Sequence, residues 1–292
     1  MRVTMPKNKT TLILLLYALL LTACAPTAPT MEAPTATPIA LVTALLPTET
    51  TIPAPTPTPA PETPTPSPTQ ITLPRLCAPL QDLPLEGMEA LISNPYHPPR
   101  PGYDDPHAGI DLAVRLPDSQ VAVSGHPVQA AIAGQVAMVV QNRFPFGNAL
   151  VIETPLDAFP ADWWSAAEVP EPAPTLPPLS ALTCPPGPEL SIADPNRRSL
   201  YILYAHLQSP PALQMGDTVS CGQVIGTVGE SGNALNPHLH FESRVAPSGL
   251  RLTGMSHYDA GANAEEMSSY CLWSVSGLFQ LVDPRNVLRL EP

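Results

Sequence analysis

The chain has 292 residues, enough for one large domain or two small ones. Proline supplies 42 of them, about three times the usual share. That density excludes a helical protein, because each interior proline deletes a hydrogen bond and collides with the preceding turn. Acidic residues outnumber basic ones 25 to 13, for a net charge of −12, and such a surface repels phosphate backbones, which excludes nucleic acid as a partner.

The N-terminus reads as an address. Arg2, Lys7 and Lys9 precede ten unbroken apolar residues, Leu12 to Leu21, and then small residues, the plan of a secretory signal over 1–23. A membrane-spanning helix needs about 20 apolar residues, so this run is too short to serve as one. Leu21-Thr22-Ala23-Cys24 resembles a bacterial lipobox, which implies cleavage before Cys24 and a lipid on that cysteine. The other reading is an ordinary cleaved leader with an incidental cysteine. The expected location is extracytoplasmic, held to a membrane through the N-terminal lipid, and loss of three basic residues takes the charge from −12 to −15.

Residues 25–74 hold 14 prolines and 14 threonines. They bury almost nothing and favour polyproline II. Such a stretch is a disordered, semi-rigid tether; at the rise of that helix, 50 residues reach on the order of 150 Å. Four cysteines follow the tether, Cys77, Cys184, Cys221 and Cys271. In an oxidising compartment they form two disulfides, with three pairings open. The competing zinc cluster lacks any CxxC pair.

Residues 75–292 form the folded domain, mostly strand. Val128 to Val140, Ala149 to Glu153, Leu200 to Ala205 and Gln223 to Val228 are β-branched or alternating and are punctuated by glycine. Helical stripes are scarce, so the class is all-β with two packed antiparallel sheets. Two segments interrupt the pattern as insertions. The first, 155–198, carries eleven prolines, Trp163, Trp164 and Cys184; the second, 248–274, carries Cys271. Disulfides are expected to pin both to the body, and the insertions to form the rim of a substrate groove. The tryptophan-bearing one is a candidate to mask it.

Three histidine segments stand out: His107-Ala-Gly-Ile-Asp111, Tyr204-Ala-His206-Leu207 and His238-Leu-His240-Phe-Glu242. On a strand, residues i and i+2 share a face. His238 and His240 therefore converge on one site, while Leu239 and Phe241 face the core. In the first segment Gly109 lets the chain turn and aim Asp111 inward. Two histidines, one carboxylate and an open position suit a catalytic zinc ion. There is no GxSxG, no HExxH and no glycine-rich phosphate loop.

These segments, with GHPVQAAIAGQV, GNALVIE, GDTVSCGQVIGTVGESG and the closing Val282-Asp283-Pro284, resemble the M23 zinc metallopeptidases, the lysostaphin-type or LytM-type peptidoglycan endopeptidases. The resemblance covers roughly 88–247 less the insertion. It implies the antiparallel two-sheet fold of that family with Pro-rich loop insertions, and Zn2+ held by His107, Asp111 and His240. It implies His206 and His238 as catalytic, non-ligand histidines, and peptidoglycan peptides as substrate. Asn236 stands where the family usually has a glycine. Outside the motifs, His97, Asp104 and Asp105 read as solvated loop residues, and His126 and His257 as structural or exposed. The alternative function is a non-catalytic module that binds cell wall or activates a separate wall hydrolase.

Overall fold

The structure, a computed structural model, describes residues 74–172, 181–187, 190, 192, 194 and 196–290. The leader, Cys24 and residues 25–73 of the tether lie outside them. Among the described residues no helix is long and apolar enough to cross a membrane.

Ten strands run in chain order: β1 (Ile92–Asn94), β2 (Ile110–Leu112), β3 (Pro127–Gln129), β4 (Gly134–Arg143), β5 (Gly147–Pro155), β6 (Arg198–Ala205), β7 (Thr218–Val219), β8 (Val224–Thr227), β9 (Leu239–Pro247) and β10 (Gln280–Val282). Among the described residues three α-helices accompany them, α1 (Ala161–Ala166), α2 (Ala264–Ser274) and α3 (Pro284–Leu288). All strand pairs are antiparallel, as the all-β reading expects. The large sheet has the order β1-β2-β9-β6-β5-β4-β7, with β10 alongside β9 beyond β2, and β3 pairs with β8 in a separate two-stranded sheet. The apolar stretch 128–140 is two strands rather than one, because the chain turns between Gln129 and Gly134 and sends β3 to the small sheet.

Both faces of the large sheet are covered, which explains why β5 and β6 are buried nearly throughout instead of alternating between buried and exposed. One face packs Leu150, Ile152, Leu200, Ile202, Leu239 and Phe241 against Val128, Ile225 and Val228 of the small sheet and its edges. The other packs Met138, Val151, Tyr201 and Leu203 against Tyr270, Trp273 and Phe279. The second layer expected from the sequence is thus a sheet on one side and, on the other, chain from 248–279.

Pro155 pairs with Ser199 across β5 and β6, so residues 156–197 leave and re-enter one hairpin. Within them Trp163 is buried and stacks on Phe159, and Trp164 Nε1 donates to the Leu156 carbonyl at 3.0 Å. The stretch 248–274 contains an eleven-residue helix, α2. Its Asn263 accepts from Glu266 N–H and Glu266 accepts from Asn263 N–H, a reciprocal cap legible as Asn-Ala-Glu-Glu. The disulfides are Cys77–Cys221 and Cys184–Cys271. The expectation that each insertion is pinned to the body is therefore corrected: Cys184 and Cys271 tie the two insertions to each other. The other bond ties the body to the point where the tether arrives.

Candidate metal centre

His238, just before β9, and His240, Glu242 and Arg244 on β9 form one row, with Trp273 of α2 reaching Glu242 and Arg244, while Leu239, Phe241 and Val245 lie on the opposite, core face. β2 lies beside β9 with Asp111 directly opposite His240, so strand register alone places the carboxylate next to the imidazole. His107 is held by exchanged backbone hydrogen bonds with His97, each 3.0 Å. The close approach of β2 to β9 depends on Gly109. A Cβ there would meet the Phe241 carbonyl at 2.6 Å and the His240 ring at 2.9 Å. The glycine serves close packing as well as the turn read from the sequence.

His107, Asp111 and His240 offer ligand atoms that all lie within 4.8 Å of one another. His107 Nε2 is 3.1 Å from Asp111 Oδ1 and 3.2 Å from His240 Nδ1, and His240 Nδ1 is 2.9 Å from Asp111 Oδ1. A tetrahedral ion with bonds of 2.0–2.1 Å has ligand–ligand edges of about 3.3 Å, so the spacing fits.

The tautomers fit as well. His107 Nδ1 donates to the Pro95 carbonyl at 2.8 Å, and His240 Nε2 donates to Glu242 Oε2 at 3.2 Å. In the neutral rings this leaves lone pairs on His107 Nε2 and His240 Nδ1, aimed at each other and at a carboxylate oxygen. Such a set of donors is complementary to a cation. Burial would push Asp111 up, but hydrogen bonds from His107 and His240 hold its carboxyl well below the usual range. Burial opposes charge on His240, yet Asp111 and Glu242 outweigh it and raise its pKa to about 9. The location favours positive charge.

His206 directly follows β6 and lies in the left-handed region, with φ of 61°. Strain of this kind in a non-glycine residue persists where the surroundings enforce it. Here the His206 N–H donates to the Phe146 carbonyl and Nδ1 donates to the Ser231 carbonyl at 2.7 Å. Nε2 of the neutral ring is therefore a free acceptor. Burial, reinforced by His240 and His238, pushes its pKa down to about 3. His238 Nδ1 donates to the Asn236 carbonyl at 2.8 Å, and its Nε2 lies 3.5 Å from Asp111 Oδ1. The His206 and His238 rings are 4.8 Å apart. Asn236, the departure from the family pattern, has no positive φ, so the loop forms without a glycine and uses this carbonyl to orient His238. All five predicted residues line one cleft of about 740 Å³.

Other residues of the site were not picked out from the sequence. Glu242 is 2% exposed and touches His240, Arg244 and Trp273; its place in the i, i+2, i+4 row of β9 was the available signal. Asn94 Nδ2 donates to Asp111 Oδ2 at 3.1 Å, and no motif marks it. Asp104, read as a solvated loop residue, instead accepts hydrogen bonds from Tyr258 and Tyr270 at 3.0 and 2.7 Å and lines the cleft. His97 and Asp105 are exposed. His126 donates to the Gln81 carbonyl and His257, which is buried, to the Thr183 carbonyl, both structural contacts. Tyr258, Tyr270 and Ser274 bring the second insertion to the cleft, whereas no described residue of 155–198 lines it. The first insertion is thus not a rim through its described residues, and they do not mask the groove.

Residues 191–251 match the model of peptidase family M23. That segment, which runs from before β6 to just past β9 and includes His206, His238 and His240, is similar to the M23 peptidases. Among solved structures, the chain is similar to a mutant catalytic domain of the prophage-encoded M23 protein EnpA from Enterococcus faecalis, at 23% identity over 59% of this chain and 92% of that one, with a TM-score of 0.31. It is similar to the catalytic domain of the antimicrobial peptidase lysostaphin from Staphylococcus simulans, at 18% identity over 68% and 90% of the two chains, with a TM-score of 0.32. A zinc-containing peptidase from Vibrio cholerae matches at 23% identity over 52% of this chain and 32% of that one, with a TM-score of 0.29, so the match spans about a third of that protein. No curated protein matches the chain.

Proposed function

We propose that this protein is a zinc-dependent endopeptidase that hydrolyses peptide bonds of peptidoglycan. The observation that carries the reading is the convergence of His107, Asp111 and His240 on one cation-sized point beside His206 and His238, in a domain of a peptidase family. Bound there, zinc supplies Lewis-acid polarisation of a carbonyl and activation of water near neutral pH. Pro95 and Glu242 fix the tautomers of the two histidine ligands, and Asn94 fixes the carboxylate. With Nδ1 engaged by Ser231, His206 presents Nε2 as an acceptor that can orient water and pass its proton on towards the leaving amine. His238, oriented by Asn236, lies on the other side of the same gap.

The two disulfides are consistent with an oxidising, extracytoplasmic location. We place the protein on the outer side of a membrane, held by lipid on Cys24, with the Pro/Thr-rich stretch giving the domain reach towards the wall. The test of the activity is incubation of the chain from Ala25 onward with purified peptidoglycans of several peptide chemistries, with and without a chelator. The reading expects release of muropeptide fragments that the chelator abolishes and zinc restores. Absence of release from every wall type would overturn it.

A further inference from the structure

Glu242 has the hardest task of any side chain in the site. Its carboxylate is 2% exposed, and a buried charge costs several kcal/mol unless its lone pairs are filled. Oε2 receives His240 Nε2; Oε1 receives Arg244 Nε and, at 2.8 Å, Trp273 Nε1. Arg244 belongs to the same strand and is itself held by the Phe279 carbonyl at 3.0 Å. Trp273 comes from elsewhere. It lies on α2, is fully buried, packs on Phe279 with ring centroids 5.0 Å apart, and holds the Arg244 guanidinium 5.2 Å over its ring. Two residues before it in the same helix, Cys271 is bonded to Cys184.

The consequence is geometric. Glu242 can rotate about its terminal bond, and the donors on Oε1 are the flexible Arg244 side chain, over whose guanidinium the Trp273 ring lies, and the indole N–H itself. The indole N–H is a donor only and rigid on its ring, so Trp273 fixes Oε1 directly and by packing on the Arg244 guanidinium that shares it, and through the carboxylate plane it fixes Oε2. That oxygen in turn sets the ring of His240. We infer that Trp273 is a positioning residue of the metal centre: the second insertion, through Trp273 and Glu242, holds His240 in its ligating orientation. This rests on the reading of His107, Asp111 and His240 as the metal site. On this account the insertion is a wall of the cleft and also part of the support behind the ion.

The test substitutes Trp273→Phe, which keeps an aromatic ring against Phe279 and removes only the N–H. Zinc affinity is measured by competition with a chromophoric chelator, alongside thermal unfolding of the metal-free protein. Loss of a partner that orients a ligand typically costs 10- to 100-fold in affinity; acting one residue further out, Trp273 is expected to give about tenfold. Should Trp273→Phe fold poorly, the same measurement is made with benzothienylalanine at 273, an isostere of tryptophan with sulfur in place of N–H. A folded variant of either kind with wild-type zinc affinity would overturn the inference while leaving the metal site intact. A wild-type protein that binds no zinc would instead remove the reading on which the inference rests. A structural role alone would lower the unfolding temperature and leave the affinity of the folded protein unchanged.

Discussion

Substituting Gly109→Ala adds a single methyl group, and its effect can be worked out from the site. Gly109 has no positive φ, so alanine meets no backbone penalty there and the whole effect is steric. The new Cβ would lie 2.6 Å from the Phe241 carbonyl oxygen, 2.9 Å from His240 Cε1 and 3.0 Å from His240 Nε2. Ordinary contact needs about 3.4 Å or more, so β2 and β9 would have to part by several tenths of an ångström. Neither obstacle can swing aside, because the carbonyl belongs to a paired strand and the ring is held by Asp111 and Glu242. Overpacking of this kind costs about 1–3 kcal/mol of stability. It acts on the register that sets Asp111 opposite His240, so zinc affinity should fall by at least tenfold and turnover by about a hundredfold, the usual result of a displacement near 1 Å. The assays are urea unfolding of the metal-free protein, chelator competition for zinc, and muropeptide release. Wild-type values in all three would show that β2 and β9 do not approach as described and that the site is built some other way.

Three further expectations follow from the same geometry. His206→Ala should lower turnover by about 10²- to 10⁴-fold, the usual contribution of a general acid–base, with zinc affinity unchanged; survival of full turnover would favour a binding module over an enzyme. Zinc has to displace a proton from His240, whose pKa in the metal-free protein is raised to about 9. Apparent affinity should therefore rise about tenfold per pH unit through neutrality and level off near pH 9, and a flat profile in isothermal titration would show that His240 is not a ligand. The Cys77–Cys221 bond closes a loop of 144 residues, so Cys77→Ser with Cys221→Ser should lower stability by about 2–5 kcal/mol; unchanged unfolding would mean the N-terminal segment is already ordered without the bond.

Much of the site was legible because its geometry is written in strand periodicity. His238 and His240 share a face by spacing alone, and Leu239 and Phe241 go to the core as that spacing demands. Glu242 and Arg244 continue the same row, but whether a strand runs four residues or nine cannot be read from alternation when both faces are buried. Asp111 opposite His240 is a matter of register between segments 129 residues apart, and only the motif order pointed to it. The partners of the insertions were least legible. Tyr258, Tyr270 and Trp273 reach Asp104 and Glu242 through tertiary packing, for which neither composition nor spacing leaves a trace. The helix that brings Tyr270 and Trp273 was signalled locally by its Asn263–Glu266 cap.

The most direct measurement is anomalous diffraction at the zinc absorption edge from crystals of the zinc-loaded protein. The account predicts one peak, bonded at about 2.0–2.1 Å to His107 Nε2, Asp111 Oδ1 and His240 Nδ1, with His206 and His238 outside bonding distance. A peak held by other residues, or none at this point in fully loaded protein, would contradict it.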